Sequence, residues 1–347
     1  MKYTTLPNTN IKVSKICLGT MTFGEQNTEP EAHEQLNYAV EQGVNFVDTA
    51  ELYAVPGRPE TQGSTEKYIG TWLKNQKREN LIIGTKVAGP NPGITYIRKN
   101  LGFSKEVIHE ALNKSLKRLQ TDYVDLYQLH WPERKANFFG KRNFTDNNDD
   151  TWNDNFLEIL ETLNDLIKEG KIRQIGVSNE TSWGVMNYTH LAKTNNLQNH
   201  ITIQNAYSLL NRTFEINLAE VSYRENIGLL AYSPLAFGAL SGKYLKASPK
   251  DGRMELYPQL KKMRKYLSNE AVFATKKYQE LAMKNNLTLT QLALAFVNQQ
   301  PFVTSNIIGA TNMKQLKENI GSVNVNLSNE ILEEINTINE LQPNPAP

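Results

Sequence analysis

Short apolar runs alternate with stretches of helical periodicity along nearly the whole 347-residue chain, and this alternation constrains the fold more than any other feature. The apolar runs lie at 16–19, 45–48, 81–87, 123–130, 172–178, 202–205, 228–233 and 306–309. The helical stretches lie at 30–42, 64–76, 104–119, 154–169, 181–195, 214–225, 270–284 and 312–320. A strand followed by a helix meets its next strand in parallel, because the helix carries the chain back across the sheet. Eight nearly equal units of this kind point to a closed (β/α)8 barrel, with a doubly wound sheet as the competitor. Ser64, Ser104 and Thr181 stand where helix caps are needed. "FSKEVIHEALNKSLKRL" sets Val107, Ala111, Leu112, Leu116 and Leu119 on one stripe.

Ahead of the first strand, "KYTTLPNTNIKVSK" reads as a hairpin over about residues 2–14, turning at 7–10 and suited to closing the barrel's bottom. No domain-sized linker interrupts the sequence, so residues 1–347 read as one domain, with the "QPNPAP" tail (342–347) expected to be poorly ordered. Two loops break the rhythm, 131–153 after the fourth strand and 234–269 after the seventh. Both belong to the face on which barrels carry chemistry, and long loops in compact domains are more often functional than idle.

Charge excludes some partners. Lys and Arg total 38 against 36 Asp and Glu, a net +2, which gives no electrostatic case for nucleic acid or an acidic membrane. The only cysteine, Cys17, sits in an apolar stretch as a core residue and suits a reducing cytoplasm. The amino terminus lacks a signal peptide's apolar core, and no apolar run approaches the roughly 20 residues of a membrane span. A cytoplasmic protein with a small-molecule substrate is expected, and nothing demands an oligomer.

Polar residues collect at strand ends. The second strand ends in Asp48, with Tyr53 five residues on; the third carries Lys86; the fourth, "VDLYQLHWP", finishes in His130, Trp131 and Pro132. Singly, each has an ordinary explanation: a turn cap, a lysine reaching the rim, a surface aromatic, a structural histidine. Together, on three neighbouring strands, they describe proton transfer to a carbonyl. A lysine cation beside a tyrosine favours the phenolate and should lower its titration point, an aspartate keeps the lysine charged, and a histidine orients the substrate oxygen. No G-x-G-x-x-G or P-loop pattern follows a strand, so a nicotinamide cofactor would need the later loops. "GVSNE", "TIQNAYS", "AYSPLAFGALSGKY" and "IIGATNMKQLKENI" offer amides, a tyrosine face, a glycine-rich loop, cations and a helix amino terminus.

At these residues the chain resembles the aldo-keto reductases, from "KVSKICLGTMTFGE" to "GATNMKQLKENI", and is most similar to their Tas-like branch through "LGTMTFGEQN", "RPETQG", "SLKRLQTDY", "IGVSNET" and "QNAYSLLNR". The resemblance implies NADPH-dependent reduction of an aldehyde or ketone, reversible in principle, with Asp48, Tyr53, Lys86 and His130 as catalytic tetrad and Tyr53 as general acid. It implies that Ser178, Asn179 and Gln204 hold the nicotinamide carboxamide and that Tyr232 stacks on its ring. Ser233, Pro234, Leu235, Gly238 and Lys243 match the loop crossing the pyrophosphate. Arg253, Gly309, Thr311, Gln315, Glu318 and Asn319 match the adenosine and 2′-phosphate end, and Gly19, Thr20 and Met21 the turn near the ribose. Phe23, Tyr53, His130 and Trp131 are expected to shape the substrate pocket. Lys243, Arg253 and Thr311 favour NADPH over NADH, whereas the position of Gln315 is neutral where the family often has a basic residue. Two other classes stay open on the residues: a cofactor-loaded redox-sensing subunit and a metal-dependent barrel hydrolase. The five histidines provide one strand-end position for the latter.

Overall fold

The computed structural model describes residues 1–143, 150–246 and 249–347; parts of both long loops, 144–149 and 247–248, lie outside the described residues. A hairpin of β1 (Tyr3–Thr5) and β2 (Lys12–Ser14) precedes β3 (Ile16–Gly19), β4 (Phe46–Asp48), β5 (Ile82–Val87), β6 (Val124–Leu129), β7 (Ile172–Ser178), β8 (Thr202–Ala206), β9 (Gly228–Tyr232) and β10 (Val303–Ile308). Strands β3 to β10 run parallel and close into a barrel, β10 pairing with both β9 and β3. This is the expected (β/α)8 architecture.

Around it lie α1 (Glu29–Glu41), α2 (Ser64–Leu73), α3 (Lys105–Leu119), α4 (Phe156–Lys168), α5 (Ser182–Thr194) and α6 (Leu218–Glu225). After β9 come α7 (Arg253–Leu256), α8 (Pro258–Arg264), α9 (Asn269–Lys284) and α10 (Leu289–Gln299); α11 (Met313–Gly321) and α12 (Asn329–Leu341) follow β10.

Two apolar layers result from the alternation of strand side chains. Inside the barrel, Cys17, Phe46, Leu126 and Leu230 pack on Leu6 and Val13, so the hairpin plugs the lower end. Between strands and helices lies the larger core, including Val47, Ile83, Tyr127, Leu129 and Val177. The stripe on α3 is buried at Val107, Ala111, Leu112 and Leu119, with Leu116 partly buried at its edge.

Several expectations need correction. Ser64 is the first residue of α2 rather than its cap; Gly63, at φ 79°, precedes it in the left-handed region. Ser104 and Thr181 do cap α3 and α5. Strand β10 begins at Val303, three residues early, because Thr304 and Ser305 interrupt its apolar pattern although both are buried. Helix α10 was hidden by being apolar nearly all round, as fully packed helices are. The tail is pinned rather than loose: Ala346 is fully buried and its amide donates to the Leu210 carbonyl at 3.0 Å, while the Arg142 guanidinium donates to the Pro345 carbonyl at 2.6 Å. No helix among the described residues is long and apolar enough to cross a membrane.

Candidate active site

The upper rim is polar because the inward-facing positions of neighbouring strands end in polar side chains. Gly19 pairs with Asp48, Asp48 with Gly84, and Lys86 with Gln128 in the strand register. Lys86 is completely buried and donates to Asp48 Oδ2 at 2.7 Å and to the Thr49 carbonyl at 2.7 Å. The second Asp48 oxygen accepts from Gln204 Nε2 at 2.8 Å, with Gln128 Nε2 at 3.4 Å. Thr20 Oγ1 donates to the Asp48 carbonyl at 2.8 Å, joining the first strand's turn to the same centre.

Tyr53 is only partly buried, and Lys86 Nζ lies 5.0 Å from its ring centroid. His130 packs edge-on to the same ring, with centroids 5.8 Å apart. The structure therefore brings Asp48, Tyr53, Lys86 and His130 together. The Tyr53 loop is anchored by Glu51, whose carboxylate accepts from the Ala88 amide at 2.7 Å and forms a buried ion pair with Arg98.

The electrostatics differ from the expectation in one respect. Burial pushes the Tyr53 phenol above its ordinary value of 10.0, and the Lys86 ammonium opposes that rise without overcoming it. Desolvation would strip the proton from Lys86, but Asp48 and Tyr53 outweigh it and raise the ammonium's value. Burial and the Lys86 charge together press His130 well below 6.5, so its imidazole is neutral. Its Nδ1 is buried with no partner among the described residues.

The candidate cofactor residues fall into three groups. At the inner end, Ser178 Oγ donates to the Gln204 carbonyl at 2.8 Å, and Asn179 Nδ2 donates to the His130 carbonyl at 2.9 Å. The Tyr232 hydroxyl donates to Asn179 Oδ1 at 2.6 Å. Ser178, Asn179, Gln204 and Tyr232 thus form one network at the carboxyl ends of β7 to β9, although the Asn179 amide is already engaged by protein groups.

Next comes a loop with Ser233, Ala236 and Phe237 all in the left-handed region, flanked by Pro234, Leu235 and Gly238. Gly238 is favoured here by its φ of +91°, a backbone conformation that other residues adopt only with strain. Lys243 and Arg253 stand near one another: burial first and then the Arg253 charge lower the Lys243 ammonium, and burial lowers Arg253. Arg253 reaches Gln26 Oε1 at 3.4 Å and Met21 Sδ at 3.9 Å, so the first-strand turn faces this loop. Neither cation has an ion-pair partner among the described residues. Two crowded cations beside a glycine-rich loop fit a dinucleotide's phosphates.

At the outer end, Asn312 caps α11 through the Gln315 amide, and Gln315 Oε1 accepts from the Thr311 amide at 3.0 Å. Asn319 is buried and donates to the Gly309 carbonyl at 3.0 Å, which sets the shape of the strand-to-helix turn. Glu318 is turned to the Thr288 hydroxyl at 2.7 Å, on the side of α10. Gly19 sits under this turn with no room for a Cβ, which would approach Ile307 Cγ2 to 2.7 Å.

On the substrate side one assignment fails. Phe23 is completely buried in the main core, and its carbonyl accepts from Thr65 Oγ1, so it braces the turn from beneath instead of lining a pocket. Trp131 stands beside His130 at 4.8 Å between ring centroids, held by a 3.2 Å bond from Nε1 to the Pro90 carbonyl. Phe139 follows at 6.1 Å from Trp131. Sequence reading missed Phe139, Phe237, Gln128, Glu51 with Arg98, and Arg264. Gln128 had a signal, since on β6 it shares the inward parity of His130 just past the strand's end. Arg264 had none, because only the folded loop brings it to the mouth.

Comparison with known proteins matches residues 15–340 to the Aldo/keto reductase family. Protein tas of Escherichia coli (strain K12) is 49% identical across 100% of both chains. An uncharacterized oxidoreductase, YrpG, of Bacillus subtilis (strain 168) is 33% identical over 97% of this chain and 96% of its own. An aldo-keto reductase of Babesia bovis is 38% identical over 69% of this chain and 88% of its own.

Proposed function

This chain belongs to the aldo/keto reductase family, and from that premise we propose that it reduces an aldehyde or ketone to an alcohol with NADPH, Tyr53 delivering the proton. The observation that carries the reading is the buried Lys86 ammonium, held by Asp48 and lying 5.0 Å from the Tyr53 ring.

A nicotinamide held at Tyr232, Ser178, Asn179 and Gln204 would supply the hydride for the carbonyl carbon. The protein's own task is to stabilise the charge that then develops on oxygen. A tyrosine with a raised value stays protonated across the neutral range, as a proton donor must. As the proton leaves, the phenolate forms beside Lys86 in a site of low dielectric, so the ammonium acts most strongly on the transition state. The neutral imidazole of His130 offers a hydrogen bond to the substrate oxygen without adding a second charge. Asp48 keeps Lys86 charged, and Gln128 and Gln204 hold Asp48 in place.

For the cofactor, Lys243 and Arg253 would meet the phosphates, the amino terminus of α11 with Thr311 the adenosine end, and Tyr232 the nicotinamide ring. The preference for NADPH rests on the cationic loop. The reverse reaction needs the phenolate at rest, so alcohol oxidation should rise with pH while aldehyde reduction stays flat through neutrality. The test is NADPH oxidation by the purified protein with 4-nitrobenzaldehyde and a panel of aldehydes and ketones. Turnover with NADPH preferred over NADH supports the reading; no turnover across the panel removes it.

A further inference from the structure

Arg264 ends α8, in the loop after β9, yet its side chain is only 4% exposed. It donates from Nη2 to the Tyr232 hydroxyl at 3.2 Å. Its guanidinium carbon lies 5.0 Å from the Phe139 ring centroid, 5.6 Å from Tyr232 and 5.9 Å from Phe237. Among the described residues no carboxylate pairs with it, and its Nε is buried without a partner.

A guanidinium has five donors and carries a charge at every accessible pH. Burying it among aromatic faces with one neutral hydrogen bond is costly, and such cations are normally paired. Elsewhere this chain follows that rule: Arg98 is paired with Glu51 and Arg134 with Glu180, both pairs buried. Arg264 departs from it at the mouth of the candidate active site. The chain of contacts from Arg264 runs through the Tyr232 hydroxyl to Asn179 and so to the His130 backbone. A second runs through Phe139 and Trp131 to the His130 ring. Phe237 is shared by Arg264 and Arg253, whose guanidinium carbon lies 5.3 Å from that ring's centroid. Arg253 belongs with the candidate phosphate loop; Arg264 faces the aromatic wall beside His130.

We propose that Arg264 is a specificity-determining residue that binds an anionic group on the substrate, so that the preferred substrates are aldehydes or ketones carrying a carboxylate. The planar fork suits two-pronged recognition of a carboxylate, and the aromatic surroundings strengthen it by excluding water. The inference rests on the reductase reading, and its test separates the two.

The test compares 4-formylbenzoate with its methyl ester, which presents the same reacting carbonyl without the charge, in the wild type, Arg264→Met and Arg264→Lys. The ratio of kcat/KM for acid over ester should favour the acid in the wild type. It should fall on the order of ten- to a hundredfold in Arg264→Met, through KM, and recover in part in Arg264→Lys. Calorimetric titration of the NADPH-loaded protein with benzoate, which has no reducible carbonyl, should show binding that weakens similarly in Arg264→Met. Equal losses on acid and ester would make Arg264 a fastener between the two loops and overturn the proposal. So would a loss confined to NADPH affinity, or a wild type that prefers the ester and binds no benzoate. If neither aldehyde is reduced but benzoate binds through Arg264, the reductase reading fails while the anion site stands.

Discussion

The two ends of the barrel treat buried polarity in opposite ways. At the lower end, Asp125 is completely buried and fully partnered: the Ile83 amide donates to it at 2.9 Å, Arg78 at 2.7 Å and Arg173 at 2.9 Å. Both guanidiniums also lie over the Tyr123 ring, at 4.1 and 4.3 Å. Nearby, Asn45 and the Ser14 backbone and hydroxyl satisfy one another. At the upper end, Lys243, Arg253 and Arg264 form no salt bridge among the described residues, Asp251 acting on Lys243 only at longer range, and His130 keeps a bare ring nitrogen. An end whose charges balance needs nothing further to be stable. An end with cations left without salt bridges, one buried and two partly buried, is complementary to something negative, the character of the dinucleotide and acidic substrate proposed above.

The comparison can be tested from both ends, beginning with the largest effect. Tyr53→Phe removes the proposed proton donor from the upper end and should lower carbonyl reduction by roughly 10²- to 10⁴-fold. NADPH affinity, read by quenching of protein fluorescence, should stay within about threefold if the hydroxyl serves the carbonyl, as proposed, and not the nucleotide. A variant that reduces aldehydes normally would remove Tyr53 from the reaction. At the lower end, Asp125→Asn leaves two arginines facing an amide and should cost about 3 kcal/mol in denaturant unfolding, the low side for a broken buried pair because Arg173 is 45% exposed. The enzyme that remains folded should keep its kcat/KM. A loss of activity without a loss of stability would erase the division between the ends.

A smaller effect separates the cations of the upper end from one another. Arg253→Ala should weaken NADPH by about ten- to a hundredfold more than NADH, as removal of a charged hydrogen-bond donor to a 2′-phosphate would. Equal weakening of both nucleotides in a binding titration would assign Arg253 to the shared pyrophosphate instead.

Much of this was legible in the sequence, and what was not has a physical reason. The barrel follows from the alternation of eight apolar runs with helices, and Asp48, Lys86 and His130 stand out because each places a polar group at the end of an apolar strand. Tyr53 was legible by its distance from Asp48. The direction of its titration was not, because the outcome depends on how deeply the phenol is buried, which spacing does not encode. Phe23 misled for a similar reason: a residue two beyond Met21 looks rim-facing until the turn folds it under. Arg264 ends a helix of seven residues and Phe139 lies on a loop, segments too short or irregular for a period to show which contacts three-dimensional closure will make.

The sharpest challenge to the contrast comes from His200, just ahead of β8 at the lower end. Both its ring nitrogens are buried without partners, which at first sight makes it an unsatisfied group in the balanced half. Unlike the upper cations it can shed its charge, and burial lowers its value from 6.5 to about 3. The sign follows from linkage: below pH 6.5 the unfolded chain takes up a proton that the folded imidazole refuses, so stability falls as pH drops from 6.5 toward 3. His200→Leu, close in volume and unable to titrate, removes that slope. Between pH 7 and pH 5.5 the wild type should lose about 1 kcal/mol more stability than the variant, with activity per folded molecule the same in both. His130 titrates in both proteins, so its contribution cancels in the difference. Parallel stability curves would mean that His200 finds a proton acceptor or water in solution. A change in turnover would mean that an unpartnered group at the lower end is coupled to the chemistry, and the two ends would no longer be separable.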